Sequence, residues 1–210
     1  MVAPARKSHM HERTFSHVRS HFALDKKAVL DIGSSEGHYL ERFGKGSMGV
    51  TIIPEHVTLA RQKGLNVIQG NIEDPAFTLP EKFDAIWANN LLEHLHSPHL
   101  FLTHMREFLN PGGVLILGVP VLPPPFLQRL KKFRGAFAAS HINFFTRRTL
   151  IETARAAGWI VADARSFHFA NRSIDSLITA IAPHIYIAAR PDPSFAYARK
   201  RLLSLQNYEQ

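Results

Sequence analysis

The chain has 210 residues, 45% of them apolar, with 25 Lys and Arg against 17 Asp and Glu for a formal charge of +8. That length suits one domain with a sizeable core, and the lack of any cysteine excludes disulfides, thiolate catalysis and thiolate metal sites. The excess of basic residues favours anionic partners such as phosphate groups, nucleic acid or a membrane surface, without choosing among them.

Residues 1–24 are polar and rich in His and Arg, and read as a loose arm or a first helix. MVAPARKSHMHER lacks the apolar stretch of a secretory signal. No apolar run approaches the roughly 18 residues that span a bilayer, so a cytoplasmic protein is expected. There is no HExxH, and metal ligation is not expected, His9 and His11 in the arm included.

From 25 to 190 strand and helix signals alternate. AVLDI (28–32) is a continuous apolar run, as in a strand buried on both faces. Ser34 or Ser35 can cap a following helix whose inner face is Tyr39, Leu40 and Phe43. MGVTII (48–53) is a second strand; Pro54 opens a helix that ends near Gly64. LNVIQ (65–69) and FDAIWA (83–88) are the third and fourth strands. A helix is expected from about Pro98 to Leu109, with Leu100, Phe101, His104, Met105 and Phe108 at helical spacing. Asn110-Pro111-Gly112-Gly113 is a stop and turn, and VLILGVP (114–120) is a fifth strand. TRRTLIETARAAG (146–158) is a helix. WIVADARSFHF (159–169) and HIYIAAR (184–190) are strands joined through a short helical stretch, which suggests an antiparallel closing strand. Residues 191–210 form a C-terminal tail with Arg199, Lys200 and Arg201.

This order specifies an α/β domain with a mostly parallel, doubly wound, Rossmann-like sheet and right-handed crossovers. Segment 120–145 breaks the alternation. After Pro123–Pro125, the residues Phe126, Leu127, Leu130, Phe133 and Phe137 fall on one helical side, ringed by Arg129, Lys131, Lys132 and Arg134. It reads as a basic amphipathic helix covering the pocket, with peripheral membrane contact through 126–137 as a further reading.

In open α/β sheets, ligands bind beyond the C-terminal ends of the strands. The turn after the first strand, VLDIGSSEGH, sits there, and its backbone N–H groups and helix start favour polar or negative ligand groups. Gly33 and Gly37 allow close approach. Their G-x-x-x-G spacing differs from the dinucleotide fingerprint G-x-G-x-x-G, which disfavours a nicotinamide-dependent oxidoreductase.

VLDIGSSEGHYL, GVTIIPEHVTLARQKGLNVIQGNIED, FDAIWANNLLEHL and MREFLNPGGVLILGVP, in that order, resemble the class I S-adenosylmethionine-dependent methyltransferases. HINFFTRRTLIETARAAGW resembles the small-molecule and lipid-type branch (methyltransferase types 11 and 23). The resemblance covers roughly residues 25–190. It implies a seven-stranded sheet with an antiparallel last strand, and S-adenosylmethionine as cofactor. Carried over by position, Asp31, Gly33, Ser35 and Gly37 belong to the cofactor loop. Thr51 stands where an acidic residue meets the ribose hydroxyls. Asn71 stands beside the adenine amino group, Ile72 on the adenine ring, and Asn89 and Asn90 near the methionine part.

Ser35, Thr51 and Asn71 depart from the family pattern. Each removes a glycine or a carboxylate, and a lost charge-assisted bond costs on the order of 1–3 kcal/mol. Glu55, just into the next helix, is a candidate substitute for the missing acid. Methyl transfer depends on positioning, and needs a base only where the acceptor carries a proton. His94, past the fourth strand, and His141, at the end of the insertion, are the candidate bases; packing or capping is the alternative for His94, and pinning the insertion for His141. His38 reads as structural. Trp87 reads as core, with an aromatic face toward a sulfonium as the alternative. The resulting expectation is methyl transfer to a small-molecule, lipid-like or saccharide acceptor, anionic acceptors included, with nucleic acid disfavoured. The alternative is a degenerate methyltransferase-fold binding protein without turnover.

Overall fold

The computed structural model describes residues 9–169 and 171–196. The arm at 1–8, the side chains of His9 and His11 and the tail from 197, with Arg199, Lys200 and Arg201, lie outside the described residues. In chain order the elements are α1 (His9–His21), β1 (Val29–Ile32), β2 (Met48–Thr51), α2 (Pro54–Gln62), β3 (Val67–Gln69), β4 (Phe83–Asn89), α3 (Pro98–Met105), β5 (Leu109–Pro120), α4 (Arg147–Ala156), β6 (Trp159–Arg165), α5 (Arg172–Ile178) and β7 (His184–Pro191). The strands form one 7-stranded sheet in the order β3-β2-β1-β4-β5-β7-β6. β7 runs antiparallel to both neighbours, and the β1–β5 block is parallel. Among the described residues no helix is long and apolar enough to cross a membrane.

The apolar runs read as two-face-buried strands behave so. Successive residues of β1, β4, β5 and β7 feed opposite clusters. Leu30, Ile86, Leu117 and Ile187 join Phe101, Leu102, Met105, Leu150 and Trp159 on one face. Val29, Trp87, Ile116 and Tyr186 join Phe15, Val18 and Phe167 on the other. Burial of each such side chain stabilises the fold by roughly 1.5–3 kcal/mol.

The helix expected after β1 is not formed. Gly33 (φ 74°), Ser35 (φ 49°) and Gly37 (φ 80°) are all left-handed, so an α-helix cannot start in this turn. Gly44 and Gly46 follow soon after, and span 38–43 holds only a 3₁₀ turn at Leu40–Arg42. α1 covers that face instead. Its Phe15 ring lies 4.4 Å from Tyr39, 5.8 Å from Phe43 and 5.5 Å from Trp87. Glu12 of α1 accepts from His38 and Arg42, both at 2.7 Å, so His38 is structural as expected. Trp87 is core, 1% exposed.

The basic segment also differs from its expectation. In place of an amphipathic helix it forms 3₁₀ turns at Pro125–Leu127 and Lys131–Phe137. The span between Pro125 and Gly135 is under the roughly 12–15 residues at which an isolated helix becomes marginal. Of its apolar positions Phe133 is buried, whereas Phe126 is 79% exposed and Leu130 and Phe137 are each 46% exposed. Smaller differences are at element ends. β2 stops at Thr51, β3 starts at Val67 and β6 stops at Arg165. α3 ends at Met105 with Leu100 facing outward, and β5 begins at Leu109, with an irregular register across 109–114 in place of a stop.

Candidate active site

Two cavities open beyond the C-terminal ends of the parallel strands. One, of about 520 Å³, is walled by Gly33 and Ser35 after β1, Thr51 at the end of β2, Asn71 and Ile72 after β3, and Asn89, Asn90 and His94 after β4. The other, of about 400 Å³, is walled by Thr14 of α1, Pro120 of β5, Ala136 and His141 of the insertion, and His184 and Tyr186 of β7. Asn90 and His94 line both.

The first cavity collects most of the expected cofactor residues. A Cβ built on Gly33 meets only Leu91 Cδ1, at 3.4 Å, so the loop leaves its outer side open. Thr51 is buried, and its hydroxyl oxygen accepts from the Ile53 amide at 3.4 Å. Asn71 Oδ1 accepts from the Glu73 amide at 3.0 Å, and Ile72 presents a 9%-exposed apolar edge. Two expected residues do not line the cavity. Asp31 is 2% exposed beneath the loop, and burial pushes its carboxyl up to about 8. Gly37 faces α2 and β3, where a Cβ would collide with Leu65. Glu55 points to solvent; the neighbouring His56 lines the wall in its place. Nothing in the spacing of PEHV distinguishes those two positions before α2 is seated.

The loop amides also behave differently from the expectation. Gly33 and Ser34 N–H both donate to the Val50 carbonyl, at 2.9 and 3.1 Å. Those two amides are committed to β2, and no α-helix starts here to present its N-terminus to a pyrophosphate. S-adenosylmethionine carries no phosphate. Its requirements are apolar walls for adenine, room above glycine and polar groups near the amino acid end. Ile72, Gly33 and the Asn89–Asn90 pair meet them, and Asn89 Oδ1 is a buried acceptor with no partner among the described residues.

The wall shared by the cavities rests on two unusual backbone positions. Asn90 is left-handed (φ 53°), a conformation Asn tolerates, and its amide donates to Gly118 O at 2.8 Å. At Gly118 a Cβ would strike Asn89 Oδ1 and lie 2.5 Å from Tyr186 Cε1. That closeness lets His184 Nε2 reach Asn90 Oδ1 at 2.9 Å.

The insertion returns to this wall. Ile142 and Asn143 N–H donate to Glu93 O at 2.9 and 3.0 Å, and Asn143 Nδ2 donates to the carbonyls of Leu92 and Leu95. His94 Nδ1 donates to Ser140 O at 3.0 Å. The rings of His94 and His141 meet edge to face with centroids 4.8 Å apart. Glu93, next to them, is 1% exposed; burial pushes its carboxyl up to about 7, against the pull of its own backbone N–H and of His94. Both expected bases therefore stand at one junction. Glu93, Asn143, His184, Tyr186 and Thr14 were not identified from sequence. Only the LLEHL and HINFF segments gave a signal, and it singled out His94 and His141.

Comparison with known proteins agrees with this architecture. A family model described as a methyltransferase domain matches residues 7–163. A ubiquinone biosynthesis O-methyltransferase from Xanthomonas campestris pv. campestris is 32% identical over 136 residues, covering 60% of this chain and 53% of the relative. A tRNA U34 carboxymethyltransferase from Shewanella denitrificans is 31% identical over 117 residues, covering 50% of this chain and 35% of the relative. The chain thus spans about half, or less, of the length of these relatives. The crystal structure of an S-adenosylmethionine-dependent methyltransferase from Clostridium acetobutylicum aligns with TM-score 0.66 at 10% identity, covering 91% of this chain and 95% of that one, a likeness of fold.

Proposed function

The chain belongs to the methyltransferase-domain family of class I S-adenosylmethionine-dependent enzymes, and from that premise we propose that it transfers a methyl group to a hydroxyl of a small, largely apolar, lipid-like acceptor. The observation that carries this reading is the pair of cavities sharing Asn90 and His94. S-adenosylmethionine bound in the first would supply a methyl group activated on a sulfonium. The acceptor occupies the second, whose Pro120, Ala136, Ala138, Pro183 and Tyr186 walls suit an apolar body better than a saccharide.

The chain's own contribution is placement and proton handling. Gly33, Ser35, Ile72 and Asn89 seat the donor, and Asn90, held by Gly118 and His184, fixes the passage between the cavities. His94 is oriented by Ser140, so in the neutral ring Nδ1 carries the hydrogen and Nε2 is left to accept the acceptor's proton. His141 abuts that ring. The relatives named for ubiquinone biosynthesis O-methylation support oxygen as the methylated atom. The insertion's exposed Phe126, Leu130 and Phe137, interleaved with Arg129, Lys131 and Arg134, support delivery of the acceptor from an anionic lipid surface beside the second cavity.

Calorimetry with S-adenosylhomocysteine tests the donor half. One site is expected, and Gly33→Val, which puts a branched side chain at φ +74° over the cavity, should abolish it. No heat for the unsubstituted chain at millimolar ligand would defeat the reading, and would favour a binding protein without turnover. For the acceptor half, His94→Gln should slow transfer to a lipid-tailed phenol by about 10²–10⁴-fold with S-adenosylhomocysteine binding retained.

A further inference from the structure

We propose that Glu93, His94 and His141 form a binding site for one divalent cation of the zinc class, at the junction of the two cavities. The proposal rests on the same side chains as the function above, and concerns metal binding rather than methyl transfer. One ligand atom from each of the three residues lies within 4.8 Å of the others. With Zn–N bonds of about 2.0–2.1 Å, small side-chain rotations bring such a set to bonding distance.

The surroundings already orient the ligands. His94 Nδ1 donates to Ser140 O at 3.0 Å, and His141 Nδ1 donates to Ala136 O at 3.4 Å. A carbonyl only accepts, so both neutral rings keep the Nε2 lone pair free of hydrogen. A backbone carbonyl behind each imidazole is the support that metal-bound histidines use. Glu93 is 1% exposed, and its Oε2 has no hydrogen-bond partner among the described residues. A buried carboxylate oxygen without a partner is costly, and a cation would satisfy it. Two imidazoles and one carboxylate suit zinc, cobalt or ferrous iron better than magnesium, which favours oxygen ligands. Three protein ligands leave a position open toward the acceptor cavity, which the same three residues line. With the cation bound, His94 Nε2 is a ligand and no longer takes the acceptor's proton; the cation would instead make an acceptor hydroxyl acidic enough to release that proton to solvent. Cation and proton compete for the same two nitrogens.

The test uses the full chain stripped with EDTA. Cobalt titration should give a visible d–d band saturating at one equivalent, and zinc should displace it. Calorimetry with zinc should show the same single site. H141Q and E93Q should each weaken binding at least tenfold. H9Q/H11Q, in the first turn of α1, should leave the band unchanged. E93Q alters a buried group; H141Q, at a half-buried position, is the second variant, with far-UV circular dichroism checking that each is folded. The proposal is overturned if the unsubstituted chain gives neither band nor zinc heat, if the band survives H141Q and E93Q, or if it vanishes in H9Q/H11Q. S-adenosylhomocysteine binding is measured separately. Its loss with the metal site intact sinks the donor reading alone, and the reverse sinks the cation alone.

Discussion

Asp31 and Glu93 are acids held where water cannot solvate their charge. Each has a folded pKa above its ordinary value, pushed by burial to about 8 for Asp31 and about 7 for Glu93. For a raised acid the native state binds the extra proton, so its contribution to stability is complete below the unfolded pKa and is lost as pH rises through the folded one. Thermal stability should therefore fall between about pH 5 and pH 8. Glu12 and Glu73 do not move in that window. Burial raises each, but hydrogen bonds from His38 and Arg42, and from His96 and Ser97, outweigh it and leave both lowered. His21, lowered by burial and by Arg165, pulls the opposite way near neutrality. The comparison that isolates the buried acid is Asp31→Asn, which should flatten the fall in melting temperature with pH. An unchanged slope in D31N would show that Asp31 is ionised throughout.

The insertion shows how an element can be defined by what it is tied to. Its 3₁₀ turns bury little, and Phe133 is its main anchor. Asn143 joins its end to the turn after β4 through the Leu92 and Leu95 carbonyls. Asn143→Ala removes the donor and leaves those acceptors without it, at a cost of about 1–3 kcal/mol. Hydrogen exchange should rise together in 92–95 and 133–142. Faster exchange in the insertion alone would show that the two segments are independent. None of this could be read from spacing. The apolar residues of 126–137 do fall at helical intervals, but three prolines before them and Gly135 among them prevent a helix. The periodicity reflects a surface, not a buried stripe. The helix missing after β1 failed for a related reason. Ser35 adopts a left-handed conformation that its residue type does not announce, whereas the strands around it were legible because burial on both faces leaves a continuous apolar run.

Across the whole molecule, that alternation gave an α/β domain with a mostly parallel sheet; the count of seven strands followed from the family resemblance, as did the antiparallel closing strand, which the strand signals at 159–169 and 184–190 also suggested. The site was legible in fragments. His94 and His141 stood out singly, but their meeting depends on the chain folding back over the strand ends. The exposure of Phe126, Leu130 and Phe137 is a whole-molecule property too, because the same insertion lines the second cavity through Gly135, Ala136 and Ala138. The chain should co-sediment with vesicles rich in anionic lipid and much less with neutral ones. Raised salt should weaken the association, and F126S/F137S should abolish it. Equal sedimentation of that variant would remove the lipid-surface reading.

The clasp between Asn143 and the Leu92–Leu95 turn has a consequence for redesign. Insertion and β4 turn are one mechanical piece, so exchanging a stretch that runs through Ser140 and Asn143 would unseat His94 unless both contacts were rebuilt, whereas an exchange confined to 121–139 leaves them in place. New substrate tastes should come more readily from trimming Ala136 or Ala138 than from swapping the canopy.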